Sequence, residues 1–116
     1  MSASPILTKE QREAAWQRAY RHSLDAHSDL EVGWEADCWR QLGAYGIAGM
    51  CDDLLDERRA NDVSVPSDVS RRDLDLLWRR VPQRTAIRRW VRSGGLCLVA
   101  ALRTTYWLGQ STEEAT

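Results

Sequence analysis

Residues 96–102 read Leu-Cys-Leu-Val-Ala-Ala-Leu, and apolar side chains recur as far as Leu108. A helix that is apolar nearly all round belongs at the centre of a domain, away from water. The thirteen residues of this segment are many for one strand, and Ala and Leu favour helix. We therefore predict a central helix over residues 96–108, with the rest of the chain arranged around it.

Two amphipathic helices are predicted upstream of this segment. Gly94 and Gly95 form a typical helix stop, and Pro82 suits the first turn of a helix and ends the preceding one. The fifth helix thus covers about residues 83–93, and the fourth begins at a cap made by Ser70 with Asp73. Apolar side chains at helical spacing are predicted to face the core in both: Leu74, Leu77, Trp78, Val81, Ala86, Ile87, Trp90 and Val91.

The N-terminal half predicts three more helices. Thr8 with Gln11, and Ser28 with Glu31, match the capping box that opens a helix. The apolar stripe changes phase near residues 43–46, where two glycines indicate a break between a second and a third helix. No strand or hairpin signature occurs, so the expected fold class is all-α.

We expect a compact bundle of five to six helices in a single domain, residues 1–116, with loose termini at 1–7 and 110–116. No apolar run approaches the ~20 residues that span a bilayer, and residues 1–5 lack the features of a secretory signal. Membrane association is therefore not expected, and the cytoplasm is the expected location. Fifteen arginines, one lysine and no Phe indicate G/C-rich coding and hence a bacterial or bacterial-virus origin.

Nothing in the sequence predicts a catalytic, cofactor or metal site. Cys38, Cys51 and Cys97 are far apart and flanked by apolar residues, which indicates buried, reduced thiols. His22 and His27 are five residues apart and would lie on different sides of a helix. No phosphate-binding loop or nucleophile signature is present. We therefore expect a protein without enzymatic activity, cofactor or metal.

Charge is segregated along the chain. Residues 1–66 hold seven basic and twelve acidic residues, whereas residues 67–116 hold nine arginines and five acids. The candidate binding residues are the arginines that recur every fourth residue and the acidic face of the third helix: Arg80, Arg84, Arg88, Arg92, Asp52, Asp53, Asp56 and Glu57. Three interpretations are open: the two faces pair with each other within the chain or across a homodimer, one of them docks a protein, or the arginines contact nucleic-acid phosphates.

Six tryptophans are the second unusual feature. Most are expected in the core, because a bundle without Phe needs large apolar fillers. Trp39 lies off the main stripe of its helix, so we expect it to be exposed and, beside Arg40, to anchor a partner.

Residues 82–92 resemble the recognition helix of helix-turn-helix proteins, in which a short turn precedes a basic helix. The resemblance implies that Gln83, Arg84, Arg88 and Arg92 would approach DNA while Ile87 and Trp90 pack against the core. The chain departs from the pattern upstream, at 76–77 and 80–81, where small residues and a turn glycine are usual.

In size, coding bias, helical character, segregated charge and lack of catalytic motifs, the whole chain resembles the small accessory proteins of bacterial viruses and mobile elements, and among them anti-CRISPR inhibitors. That resemblance implies stoichiometric binding to an effector or nuclease subunit of a host CRISPR-Cas complex. The leading expectation is therefore a protein-binding inhibitor, and an apolar surface near residues 96–107 is the candidate for a dimer contact. The alternative is a small helix-turn-helix DNA-binding regulator.

Overall fold

A computed structural model describes residues 6–81 and 84–104, and this part of the chain contains helices and no strand. The helices are α1 (Lys9–Asp25), α2 (Asp29–Gln41), α3 (Tyr45–Ala60), α4 (Arg71–Arg80), α5 (Arg84–Gly94) and α6 (Leu98–Leu102). The predicted all-α class and the number of helices are confirmed. The predicted loose termini lie almost entirely outside the described residues.

Three helices begin at the capping boxes that the sequence predicts. Before α1, the Thr8 hydroxyl accepts a hydrogen bond from the Gln11 backbone N–H at 3.1 Å, and the Gln11 side chain accepts one from the Thr8 N–H at 2.8 Å. Ser28 with Glu31 and Ser70 with Asp73 repeat this arrangement at α2 and α4. Each box satisfies two backbone donors that a helix start leaves without intrahelical partners.

Glycines in the left-handed region set the two sharpest helix ends. Gly43, with a φ of 78°, lies in the turn between α2 and α3, where the sequence predicts a break. Gly95, with a φ of 69°, follows the last residue of α5 and donates its N–H to the Val91 carbonyl oxygen at 2.9 Å. Only glycine adopts this conformation without a steric penalty from Cβ.

The core is built on α2 and α3, which pack together more extensively than any other pair of the described helices. Helices α1, α4 and α6 pack against this pair, and α5 packs against α1 and α6. Its fully buried residues come from every described helix, and the largest apolar ones are Trp34, Tyr20, Leu24, Leu74, Leu98 and Leu102. Trp34 also donates its indole N–H to Asp75 at 2.8 Å, which joins α2 to α4.

The predicted central helix is buried but shorter than expected. Leu98, Val99, Ala101 and Leu102 are each no more than 1% exposed, so the all-round apolar pattern was interpreted correctly. The helix begins only at Leu98 because Cys97 is still extended, with a ψ of 159°. Residues 105–108 of the predicted helix lie outside the described part. Of the predicted dimer surface over residues 96–107, residues 97–99, 101 and 102 are buried in the core of the monomer, and residues 105–107 lie outside the described part.

A carboxylate that the sequence analysis did not single out connects α6 to the rest of the core. Glu35 of α2 is fully buried and accepts hydrogen bonds from the backbone N–H groups of Leu98 and Val99, both at 3.0 Å. It also accepts from the Tyr20 hydroxyl and from the Trp39 indole N–H. Burial raises the pKa of Glu35, and these four hydrogen bonds act against that rise by stabilising the carboxylate.

Candidate macromolecule-binding surface

Helix α5 places its arginines beside its buried face. Ile87 and Val91 face the core, and the 100° step between helical residues puts Arg88 and Arg92 on one flank of that face. Arg89 lies next to them on the outer side of the helix, directly opposite the buried face, and Trp90 lies on the other flank. We call Arg84, Arg88, Arg89 and Arg92 the arginine flank.

Aromatic rings and a backbone oxygen, not carboxylates, hold Arg84 and Arg92 in place. Arg84 donates its Nε to the Trp78 carbonyl oxygen at 3.0 Å, and its guanidinium lies 5.4 Å from the Trp78 ring centroid. The Arg92 guanidinium lies 5.0 Å from the Trp16 ring centroid. Such cation–π contacts orient a guanidinium without neutralising its charge. Within residues 6–81 and 84–104, no ion pair involves any member of the arginine flank.

The acidic face of α3 pairs with other arginines. Asp52 lies 2.7 Å from Arg40, and Glu57 pairs with Arg21 of α1. Asp56 contacts Arg59 one turn along the same helix, and Asp53 makes no ion pair in the described part of the chain. In the monomer, therefore, the acidic face does not neutralise the arginine flank. Pairing between two copies of the chain remains a prediction.

Two other predicted binding arginines lie away from the flank. Arg40 bridges Asp37 and Asp52, so its charge is already matched within the chain. Arg80 is exposed at the end of α4 and makes no ion pair with any described residue.

The prediction that Trp39 is exposed is wrong. Only 2% of its surface is accessible, and its indole N–H donates to the Tyr20 hydroxyl oxygen at 2.9 Å and to Glu35 at 3.2 Å. An indole can be buried where its N–H has a hydrogen-bond acceptor. The hydrophobic pattern of the helix gave no indication that Tyr20 and Glu35 would supply such acceptors. Trp39 is therefore not an exposed anchor, although one part of it lines the surface described next.

The expected burial of Trp90 and Ala86 is also wrong. Trp90 is 44% exposed, and Ala86 is exposed as well. Both lie on the flank of α5 that points away from the core, because only Ile87 and Val91 are turned inward. The packing role that the helix-turn-helix resemblance assigns to Trp90 is thus contradicted, whereas the role assigned to Ile87 is confirmed.

Two adjoining depressions run along the arginine flank. One, of about 460 Å³, lies between α1, α3 and the α2–α3 turn, and its wall includes Trp16, Tyr45 and Met50. The other, of about 370 Å³, lies between that turn and α5 and is lined by Leu42, Arg88, Arg89 and neighbouring residues. Both are lined by Trp39, Ala44 and Arg92, so they form one continuous surface, which we call the α5 groove.

The α5 groove combines exposed apolar side chains with positive charge. Tyr45 is 70% exposed and Leu42 is 42% exposed, so much of the surface of both side chains is not covered by packing within the monomer. Among the described residues, Glu13 is the only acid that lines the groove, against three arginines from α5. Sequence reasoning identified Arg88 and Arg92 but missed Leu42, Tyr45 and Arg89. The signal for Leu42 and Tyr45 was that two large apolar side chains flank the turn residues 43–44. The sequence pattern cannot distinguish such exposed side chains from core residues.

Groups capable of chemistry are buried or dispersed. Tyr20, Glu35 and Cys51 touch one another, but each is fully buried and out of reach of a substrate. His22 lines a shallow depression that contains no cysteine, and His27 is buried against Glu31. In the described residues, no group of three or more His, Cys, Asp or Glu side chains could hold a metal ion. Nor is any helix there long and apolar enough to cross a bilayer.

The three cysteines should be unreactive until the chain unfolds. All are buried, as predicted, and burial, with a contribution from the Glu35 charge, raises the pKa of each thiol to about 12. Because the thiolate is the reactive form, an aromatic disulfide reagent at mildly alkaline pH should modify none of them in the folded protein. In denaturing urea it should modify all three. Rapid modification of one thiol in the folded protein would show that its helix opens locally.

No protein-family model, curated protein or solved structure matches this chain.

Proposed function

We propose that this chain is a non-catalytic binding protein that docks a protein partner on the α5 groove. The observation that carries the proposal is the arginine flank: Arg88, Arg89 and Arg92 line the same groove as exposed Leu42 and Tyr45, and no member of the flank pairs with a carboxylate among the described residues. Arginine and tyrosine are enriched among the residues that dominate binding energy at protein interfaces. Uncompensated positive charge also steers a partner of opposite charge toward the surface.

The aromatic contacts of the flank support binding further. Arg92 on Trp16 and Arg84 on Trp78 are held in place before any partner arrives. Side chains that are already ordered lose less conformational entropy on association. A groove of this kind can occlude a surface on its partner without chemistry. This suits the stoichiometric inhibition implied by the resemblance to anti-CRISPR inhibitors, and a CRISPR-Cas subunit is the partner we propose within that class.

Charge reversal on the flank tests the proposal. The double variant Arg88→Glu with Arg89→Glu should weaken binding to the partner recovered by a tagged chain by at least about tenfold. The matched control is Arg72→Glu with Arg79→Glu, because both of these arginines are exposed on α4 and lie outside the groove. The control should change affinity less than about threefold. Equal losses in both variants would attribute binding to net charge alone and contradict a specific site.

Duplex DNA is the second candidate partner. The observation in its favour is that only residues 81–83 separate α4 from α5, a spacing typical of helix-turn-helix units, and that the arginines of α5 are not neutralised. DNA binding would weaken steeply as salt is raised and would be abolished by Glu at positions 84, 88 and 92. A mobility-shift assay with these properties, together with no recovered protein partner, would replace the proposal above.

A further inference from the structure

We infer that the α5 groove takes an acidic segment of polypeptide that carries one bulky apolar side chain. This inference rests on the proposed function, because it specifies which part of a protein partner enters the groove. It depends on two properties that the groove combines: an apolar depression at one end and a row of arginines at the other.

The depression beside α1 is suited to the apolar side chain. Trp16, Tyr45 and Met50 contribute to its wall, and its volume of about 460 Å³ is within the range of sites that enclose small ligands. The Trp16 ring is stacked on Tyr20, with their centroids 5.0 Å apart, so this part of the wall is rigid. Met50 is unbranched and half-buried, and methionine adapts its shape to different apolar groups. A leucine or an aromatic side chain would therefore be accommodated there.

The other end of the groove is suited to carboxylates. Arg88 and Arg89 line it, and Arg92 lies where the two depressions meet. A third depression, of about 270 Å³, extends past Arg92 toward Lys9 and Arg12 at the start of α1. Five cations thus border these three depressions, and Glu13 is the only acid among the described residues that line them. Asp and Glu residues on either side of the apolar anchor would meet these cations, and guanidinium groups bind carboxylates in two-pronged pairs.

A polypeptide uses this surface more completely than a nucleic acid does. Phosphates would contact the arginines but would leave the exposed Leu42 and Tyr45 without an apolar partner. An acidic peptide with one large apolar residue satisfies both ends, as in recognition modes that combine a pocket for one side chain with a charged rim. The two depressions of the groove share Trp39, Ala44 and Arg92, so one continuous segment can occupy both of them.

A peptide-display experiment tests the inference without a known partner. The full chain is immobilised, a random-peptide library is selected against it, and enriched peptides are synthesised with a fluorescent label for anisotropy titrations. Enriched peptides should combine Asp or Glu with a single Leu or aromatic residue. Replacing that apolar residue by Ala should weaken binding at least about tenfold, since one buried side chain dominates such contacts. Enrichment of basic peptides, or no enrichment, would overturn the inference.

Two single substitutions locate the binding site. Tyr45→Glu places a carboxylate at the edge of the apolar depression and should reduce peptide affinity at least about tenfold. Trp90→Glu is the matched control, because Trp90 is also an exposed aromatic residue but lies on the opposite flank of α5 and lines neither depression. Circular dichroism should show both variants folded, since neither residue is buried.

The outcomes separate the inference from the proposed function. If Trp90→Glu abolishes binding and Tyr45→Glu does not, the partner binds the other flank of α5, and both the inference and the proposed docking site are wrong. If no peptide binds but a protein partner still depends on Arg88 and Arg89, the partner presents a folded surface and the inference fails alone. If only duplex DNA binds, the inference and the proposed function both fail.

Discussion

Replacing Glu35 by alanine should lower the free energy of unfolding by about 3–5 kcal/mol. The substitution removes the acceptor for four buried donors: the Tyr20 hydroxyl, the Trp39 indole N–H and two backbone N–H groups of α6. A buried donor left without an acceptor retains its full desolvation cost, and of these four donors only the Trp39 indole keeps another acceptor, the Tyr20 hydroxyl oxygen. The cavity left by the side chain adds to the loss.

Urea denaturation followed by tryptophan fluorescence measures this effect. Glu57→Ala is the control, because Glu57 is a glutamate whose partner, Arg21, it meets at the surface, with 60% of its side chain exposed. The loss of Glu57 should cost less than about 1 kcal/mol. Glu35→Gln keeps the volume but directs an amide N–H₂ toward the donors, and it should still be clearly less stable than the unmodified chain. If Glu35→Ala were as stable as Glu57→Ala, the proposed role of the carboxylate would be wrong.

A double-mutant cycle tests the network itself and remains informative if Glu35→Ala is only partly folded. Tyr20→Phe removes one donor and should cost about 1 kcal/mol in the presence of Glu35. In the Glu35→Gln background the same change should cost little, because it removes a hydroxyl whose acceptor has already been impaired. Additive losses would show that the two side chains act independently.

The second large effect is expected for Gly95→Ala, which should destabilise the chain by about 2–5 kcal/mol. The φ of 69° is costly for any residue with a Cβ, at about 1–2 kcal/mol. The new methyl group would also lie 2.7 Å from the Cβ of Ala19, closer than atomic contact allows. Ala19 is fixed to the backbone of α1, so relief requires that α1 and the end of α5 move apart, an overpacking cost of about 1–3 kcal/mol.

Gly43→Ala separates the two contributions to that loss. Gly43 has a φ of 78°, but nothing lies within 4 Å of a Cβ built there. Its replacement should therefore cost only the backbone term, about 1 kcal/mol. Thermal unfolding by circular dichroism compares the two variants directly, and equal losses would show that the contact with Ala19 is not limiting.

The features predicted correctly from sequence are those encoded locally. The capping boxes at Thr8, Ser28 and Ser70 depend on residues three positions apart, and the end of α5 depends on two adjacent glycines. Each has a specific hydrogen-bond or dihedral requirement that few residue types meet. The buried C-terminal helix was predictable because its apolar residues face every direction.

The features missed depend on contacts between distant residues. Glu35 stands between Trp34 and Ala36 and four residues before Trp39, and a charge inside such an apolar stretch was the only sign of a buried network. Trp39 was misplaced because its burial depends on Tyr20 and Glu35. Whether the arginine flank is neutralised could not be predicted either. The sequence gives the charges of the arginine flank and of the acidic face of α3 but not whether the two faces meet.

The Glu35 network has a consequence for the order in which the molecule can be assembled. Chains are synthesised from the N-terminus, and Glu35 precedes its backbone partners at Leu98 and Val99 by 63 and 64 residues. Until those two residues have left the ribosome, the carboxylate must stay hydrated, and the surface of α2 around it cannot close. A nascent or prematurely terminated chain that lacks residue 98 would therefore leave this surface exposed, and with it accessible to chaperones and proteases.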